Sequence, residues 1–120
     1  MFEVKIETHF SAAHHLLNYR GECENQHGHN WKVEVFVQGE DLDQAKILVD
    51  FKVLKQAVNE VINYLDHSDL NTLLEFKDVS PSSEMIAQYV YQRMREKFFN
   101  VSKVSIWETP TSCASYWENT

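Results

Sequence analysis

Two histidines flank one glycine at His27-Gly28-His29. In an extended chain, residues i and i+2 project to the same side, so both imidazoles can converge on one ion. Gly28 leaves room for close approach. Neutral imidazole is a common zinc ligand. Two ligands make an incomplete site, and Ala12-Ala13-His14-His15 offers a third. His14 shares parity with Ile6 and Phe10, while His27 and His29 share parity with Trp31 and Val33. All three continue apolar faces; His15 points away unless a bulge shifts the register. Small Ala12 and Ala13 suit close packing around a metal. Three histidines with an open fourth position are the pattern of a catalytic zinc.

Cys23 lies upstream of His27 and has two readings. As a fourth ligand it closes the site and makes the zinc structural. As a nearby thiolate it acts as a base, since a cation close by lowers a thiol pKa. Cys113 falls in a strand and is expected in the core. Leu65-Asp66-His67 ends a helix. Its carboxylate can orient the ring in a proton relay, or the ring can simply complement the helix dipole. Glu108 follows Val104 and Ile106 on the inward side of a strand. An inward carboxylate needs a donor or a ligand. The 2-amino and ring N–H edge of a pterin or guanine would supply two parallel hydrogen bonds. Glu84, near the start of a helix, complements its dipole.

These residues need elements to hold them. Residues 2–10 alternate, with Phe2, Val4, Ile6, Thr8 and Phe10 on one face. That is the period of a half-buried strand. Residues 31–38 repeat it, residues 103–108 form a third strand, and 112–118 a fourth, weaker one. Phe51, Leu54, Val58, Val61, Ile62 and Leu65 recur at helical spacing behind a cap at Asp50. Ser80-Pro81 opens a second helix, with Ile86, Val90, Met94 and Phe98 on its apolar face. The order is strand, strand, helix, helix, strand, strand. This is an α+β arrangement: a four-stranded antiparallel sheet with two helices on one face. Such a sheet has two edges, and joining them between subunits removes both.

Composition narrows the function. The chain has 120 residues, 43% apolar and 24% charged, and reads as one domain over residues 1–120. Its formal net charge of -7 argues against nucleic acid as the partner. No apolar run is long enough to cross a membrane, and the N-terminus is not a signal peptide. Two cysteines form no disulfide framework, so a reducing cytoplasm is the expected compartment. Six histidines are present, and five fall within the first 29 residues.

Five segments together resemble one family. They are Phe10-Ser11-Ala12-Ala13-His14; Cys23 ahead of His27-Gly28-His29; Leu65 to Asn71 (Leu-Asp-His-Ser-Asp-Leu-Asn); Ser80-Pro81-Ser82-Ser83-Glu84; and Trp107-Glu108-Thr109. In this order they resemble the 6-pyruvoyltetrahydropterin and 6-carboxytetrahydropterin synthases, nearly end to end. The resemblance implies the tunnelling fold, β-β-α-α-β-β. Its trimers stack into hexamers whose sheets join into a barrel, with active sites at subunit interfaces. It implies zinc on His14, His27 and His29. It implies acid/base catalysis by Cys23, and a relay by Asp66 and His67 contributed across a subunit boundary. It implies a pterin anchored by Glu108, in a pocket lined by Ser82, Ser83 and Glu84.

The short interval from Cys23 to His27 resembles the carboxy-forming branch, which serves queuosine and other 7-deazapurine synthesis. That branch converts 7,8-dihydroneopterin triphosphate to 6-carboxy-5,6,7,8-tetrahydropterin, with loss of acetaldehyde and triphosphate. Triphosphate elimination to a pyruvoyl product is the alternative, and a non-catalytic zinc module the second. Glu22 and Glu24 flank Cys23, and some branches of the family use a glutamate near this place. The triphosphate calls for cations, with Arg20, Lys52, Lys55 and Arg93 as candidates, some from a neighbouring subunit, and with Mg2+ as a possible aid.

Overall fold

The computed structural model describes residues 1–19 and 25–119. Arg20, Glu22, Cys23 and Glu24, named above as candidates, lie outside the described residues. Strands β1 (Phe2–His14) and β2 (His27–Gly39) are longer than the alternation alone indicates, and they pair antiparallel along their full length. The pairing sets His14 opposite His27 and Ala12 opposite His29. Helix α1 (Phe51–Leu65) follows, then a two-residue strand β3 (Ser68–Asp69), two short 3-10 turns, helix α2 (Ser83–Arg95), β4 (Val101–Thr109) and β5 (Ser112–Tyr116). The sheet order is β3-β1-β2-β4-β5.

The antiparallel four-stranded sheet is present, and β3 adds a fifth strand parallel to β1. Its two residues carry no alternation that a sequence can show. They join the sheet because the turn after α1 lands against Ala12 and Ala13.

Asp50 caps α1 as expected, its carboxylate accepting from the Lys52 amide at 2.8 Å. Leu54, Val58, Val61, Ile62 and Leu65 are buried, but Phe51 stays exposed at the first turn. Helix α2 starts later than Ser80-Pro81 suggests: Ser82 is the cap, its hydroxyl accepting from the Met85 amide at 3.2 Å. The Ser80 hydroxyl is committed elsewhere, accepting from the Leu17 amide at 2.6 Å. A tertiary partner outbid the local cap.

Both helices cover one face of the sheet. Trp31, Val33, Leu54, Leu65, Ile86, Met94, Val104 and Ile106 are fully buried between the layers. Burying each such side chain is worth roughly 2 kcal/mol before the entropy of ordering the chain is counted. Cys113 is not in the core but exposed. It lies opposite Trp107 on edge strand β5, on the face without helices. Among the described residues no helix is long and apolar enough to cross a membrane.

Candidate metal centre

The three histidines expected to converge do so. His14, His27, His29 and Glu108 each offer one ligand atom, and these atoms lie within 4.8 Å of one another. The parity argument holds: His14 is buried and continues the core face of β1. Trp31 forms the floor, with its ring 4.8 Å from that of His14 and 5.2 Å from that of His29. Its indole N–H is satisfied by the Ala12 carbonyl at 3.2 Å. The floor is therefore buried and tied to both strands.

Backbone carbonyls set the ring tautomers. The Pro81 carbonyl lies 2.7 Å from His14 Nδ1, and the Asn25 carbonyl 3.0 Å from His27 Nδ1. A carbonyl can only accept, so both Nδ1 atoms carry the proton and donate. That leaves Nε2 of each ring with its lone pair for an ion. Such outer partners fix ring orientation and raise ligand basicity. Pro81 and Asn25 therefore belong to the site, although no sequence signal marked them for it. Gly28 contributes no crowding of its own, because a Cβ there would meet nothing within 4 Å.

Glu108 Oε1 lies 2.9 Å from His14 Nε2 and 3.3 Å from His29 Nε2. With Nδ1 protonated, His14 Nε2 is a bare lone pair, buried and without a hydrogen-bond partner of its own. Two acceptors facing each other need a proton or a cation between them. The donor set of three imidazoles and one carboxylate fits a divalent metal ion. Glu108 falls at the register shift between β4 and β5, where Trp107 pairs with Cys113 and Thr109 with Ser112. A bulge of this kind can re-aim a side chain beside a site.

Asp66 and His67 are also paired, but apart from this cluster. His67 Nδ1 lies 3.0 Å from Asp66 Oδ2, with the ring side chain 83% exposed. Asp66 Oδ1 accepts from the Ser11 amide at 2.8 Å, and the His67 amide donates to the Ser11 carbonyl at 2.6 Å. His67 takes a left-handed backbone, φ 58°, held by these bonds. The Ser11 amide, with further help from His67, holds the Asp66 carboxyl below its usual range against the opposing effect of burial. Ala12, Ala13, Gly28, His29 and His67 share an open hollow of about 410 Å³.

The remaining candidates sit around this core. Ser83 is half-buried as the first residue of α2, and Glu84 is exposed in its first turn. What α2's approach brings to the histidines is the Pro81 carbonyl. Asn71 clamps the chain after His14, accepting from the His15 amide at 2.9 Å and donating to the His15 carbonyl at 3.0 Å. Lys52 and Lys55 lie in the first turns of α1, roughly 20 and 15 Å along the axis from its metal-side end. Arg93 lies near the far end of α2, paired with Glu96 at 2.9 Å. Within one subunit none of these three cations lines the hollow that holds His29.

Comparison with known proteins follows the same lines. Residues 3–119 match the family model described as 6-pyruvoyl tetrahydropterin synthase. A 6-carboxy-5,6,7,8-tetrahydropterin synthase of Synechocystis sp. is 33% identical over 123 residues, covering 98% of this chain and 94% of that protein. The enzyme of the same name from Haemophilus influenzae is 31% identical over 142 residues, covering 98% and 100%. The solved structure of Caenorhabditis elegans 6-pyruvoyl tetrahydropterin synthase superposes with a TM-score of 0.88 at 26% identity, covering 98% of this chain and 96% of that one.

Proposed function

This chain belongs to the 6-pyruvoyl tetrahydropterin synthase family, and on that premise we propose that it is a zinc-dependent 6-carboxytetrahydropterin synthase. It converts 7,8-dihydroneopterin triphosphate to 6-carboxy-5,6,7,8-tetrahydropterin, with loss of acetaldehyde and triphosphate. The observation that carries this reading is the convergence of His14, His27 and His29, with Nδ1 of His14 and of His27 held by backbone carbonyls. The names of the Synechocystis and Haemophilus relatives support the carboxy product. The pathway is then queuosine or another 7-deazapurine synthesis, and the compartment a cytoplasm reducing enough to keep the Cys23 thiol free.

His14, His27 and His29 would hold the zinc ion. When bound, it supplies Lewis acidity that lowers the pKa of substrate hydroxyls. Every other task falls to the chain. The C1′ proton of the substrate lies beside the C6=N5 imine, so the ring delocalises the charge left by its removal. The Cys23 thiolate takes that proton. His67 handles a hydroxyl proton, with Asp66 orienting the ring and stabilising its charged form. Glu108 turns about its side-chain bonds to accept the 2-amino and ring N–H of the pterin. Ser83 and Glu84 line the pocket near the start of α2.

The exposure of His67 fits a relay that serves a neighbouring subunit's metal. We therefore read the working unit as a homo-oligomer, a trimer or hexamer of single-domain chains with their sheets joined into a barrel. Mg2+ assists with the triphosphate.

Pyruvoyl formation on the same scaffold is the second reading, favoured by the C. elegans likeness. A non-catalytic zinc module has no use for the Asp66–His67 pair or for Glu108. Mass spectrometry of products from zinc-loaded protein and 7,8-dihydroneopterin triphosphate decides among the three. Carboxytetrahydropterin with acetaldehyde upholds the proposal. Pyruvoyltetrahydropterin without acetaldehyde moves it to the second reading, and no turnover with zinc present moves it to the third.

A further inference from the structure

The face of the sheet without helices carries a row of residues facing one another across three strands. The register sets His9 of β1 opposite Lys32 of β2, and Lys32 opposite Trp107 of β4. The Lys32 ammonium lies 4.5 Å from the centre of the Trp107 indole. Among the described residues it makes no ion pair within 4 Å, although its charge helps hold the Glu34 carboxyl below its usual range, behind Lys5 and Trp107. The carboxylates of this face are already engaged. Glu34 accepts from Lys5 at 2.7 Å and from the Trp107 indole N–H, and Glu7 pairs with Lys5 at 3.2 Å. Asn30 uses its Oδ1 to accept from the Ser11 hydroxyl at 2.7 Å, which leaves its amide N–H groups for the hollow. His9, Asn30, Lys32 and Trp107, with Thr109, line a recess of about 270 Å³. It offers the charged ammonium of Lys32 and the amide N–H groups of Asn30.

This recess is not isolated from the metal centre. Asn30 also lines the hollow that contains His29, Gly28 and Ala13, and His9 and Asn30 line a third hollow beside Asp66 and His67. The three hollows meet at Asn30. Ala13 and Gly28 lie opposite each other at this end of the hairpin, and among the described residues nothing lies within 4 Å of where a Cβ on Gly28 would stand.

We infer that Lys32, with His9 and the Asn30 amide, seats the triphosphate tail of the substrate. The pterin side chain would lie at the histidines, and the tail would cross Gly28 onto the helix-free face. A chain of net charge -7 thereby binds a polyanion through a local cluster of donors, which the total charge conceals. This subsite deepens the proposed reaction and rests on it for the identity of the ligand. Its chemistry, a polyphosphate seat, stands on its own.

The test uses inorganic tripolyphosphate as the probe, titrated calorimetrically into the zinc-loaded full chain, with zinc content checked before and after. Wild type should bind it. Lys32→Gln should weaken binding about tenfold or more, as expected for loss of a charge-assisted contact. Lys32→Arg should retain binding, and Lys97→Gln, at a lysine paired with Glu60 away from the recess, should leave it unchanged. Equal affinity in wild type and Lys32→Gln, or no binding by wild type, would overturn the proposal. Turnover of 7,8-dihydroneopterin triphosphate is measured in parallel. Lys32-dependent tripolyphosphate binding without turnover would sink the proposed reaction and leave the subsite. Turnover with Lys32-independent binding would do the reverse.

Discussion

His14 donates its Nδ1 proton to the carbonyl of Pro81 at 2.7 Å. The two residues are 67 positions apart, yet this bond ties the end of β1 to the approach of α2. It fixes which nitrogen of the buried ring faces the centre.

Loss of any one of the three histidines should release the metal. His14→Ala, His27→Ala and His29→Ala should each purify with well under stoichiometric zinc by elemental analysis. His15→Ala should keep it, because His15 is not among the residues that converge, and its backbone is held by Asn71. Full zinc in His14→Ala would transfer the ligand role to His15.

Asn71→Ala removes both bonds to the His15 backbone while leaving every ligand in place. Loss of such support around a metal site costs about 10- to 100-fold in metal affinity. Competition with a chromophoric chelator measures it. Unchanged affinity would show that β1 holds His14 without the clamp.

Asp66→Asn should keep zinc and lower kcat by about 10²- to 10⁴-fold, the usual worth of a positioned proton relay. It should also change the acid limb of stability. The folded-state pKa of Asp66 is depressed, chiefly by the Ser11 amide. A depressed carboxylate contributes stability above its unfolded pKa, about 3.9, and loses it as pH falls through the lower folded value. The stability gap between wild type and Asp66→Asn should therefore be constant near neutrality and close below about pH 4. A gap that persists undiminished in acid would mean that the carboxylate's charge is not what holds Ser11.

Cys23→Ala should abolish turnover with zinc fully retained. Loss of zinc instead would make Cys23 a ligand, and near wild-type turnover would remove it from the chemistry.

Glu34 is buried on the helix-free face, 6% exposed, between Lys5 and the Trp107 indole. Burial pushes its carboxyl up, but the hydrogen bonds from Lys5 and Trp107 prevail and hold it below its usual range. Glu34→Ala would strand the indole N–H and the ammonium. The cost should be about 1–3 kcal/mol, read by urea unfolding. A value near zero would mean that water replaces the carboxylate.

The sequence alone determined much of this protein. Strand parity put His14, His27 and His29 on one face, because a pleated chain allows only two. Helical spacing marked the buried stripe of α1, and Asp50 its start. The five motifs marked the family. These are local signals, each written within a few residues.

Tertiary structure decided the rest. Ser80 looks like a helix cap, but the Leu17 amide claims its hydroxyl and the cap passes to Ser82. Cys113 looks like core, but edge strand β5 has no helix over that face. Lys52, Lys55 and Arg93 look available to an anion until the directions of α1 and α2 carry them to the far end. The tautomer of His14, the clamp on His15 and the row from His9 through Lys32 to Trp107 all rest on partners distant in sequence. A hydrogen bond between residues 67 apart leaves no periodic trace, since nothing local depends on it.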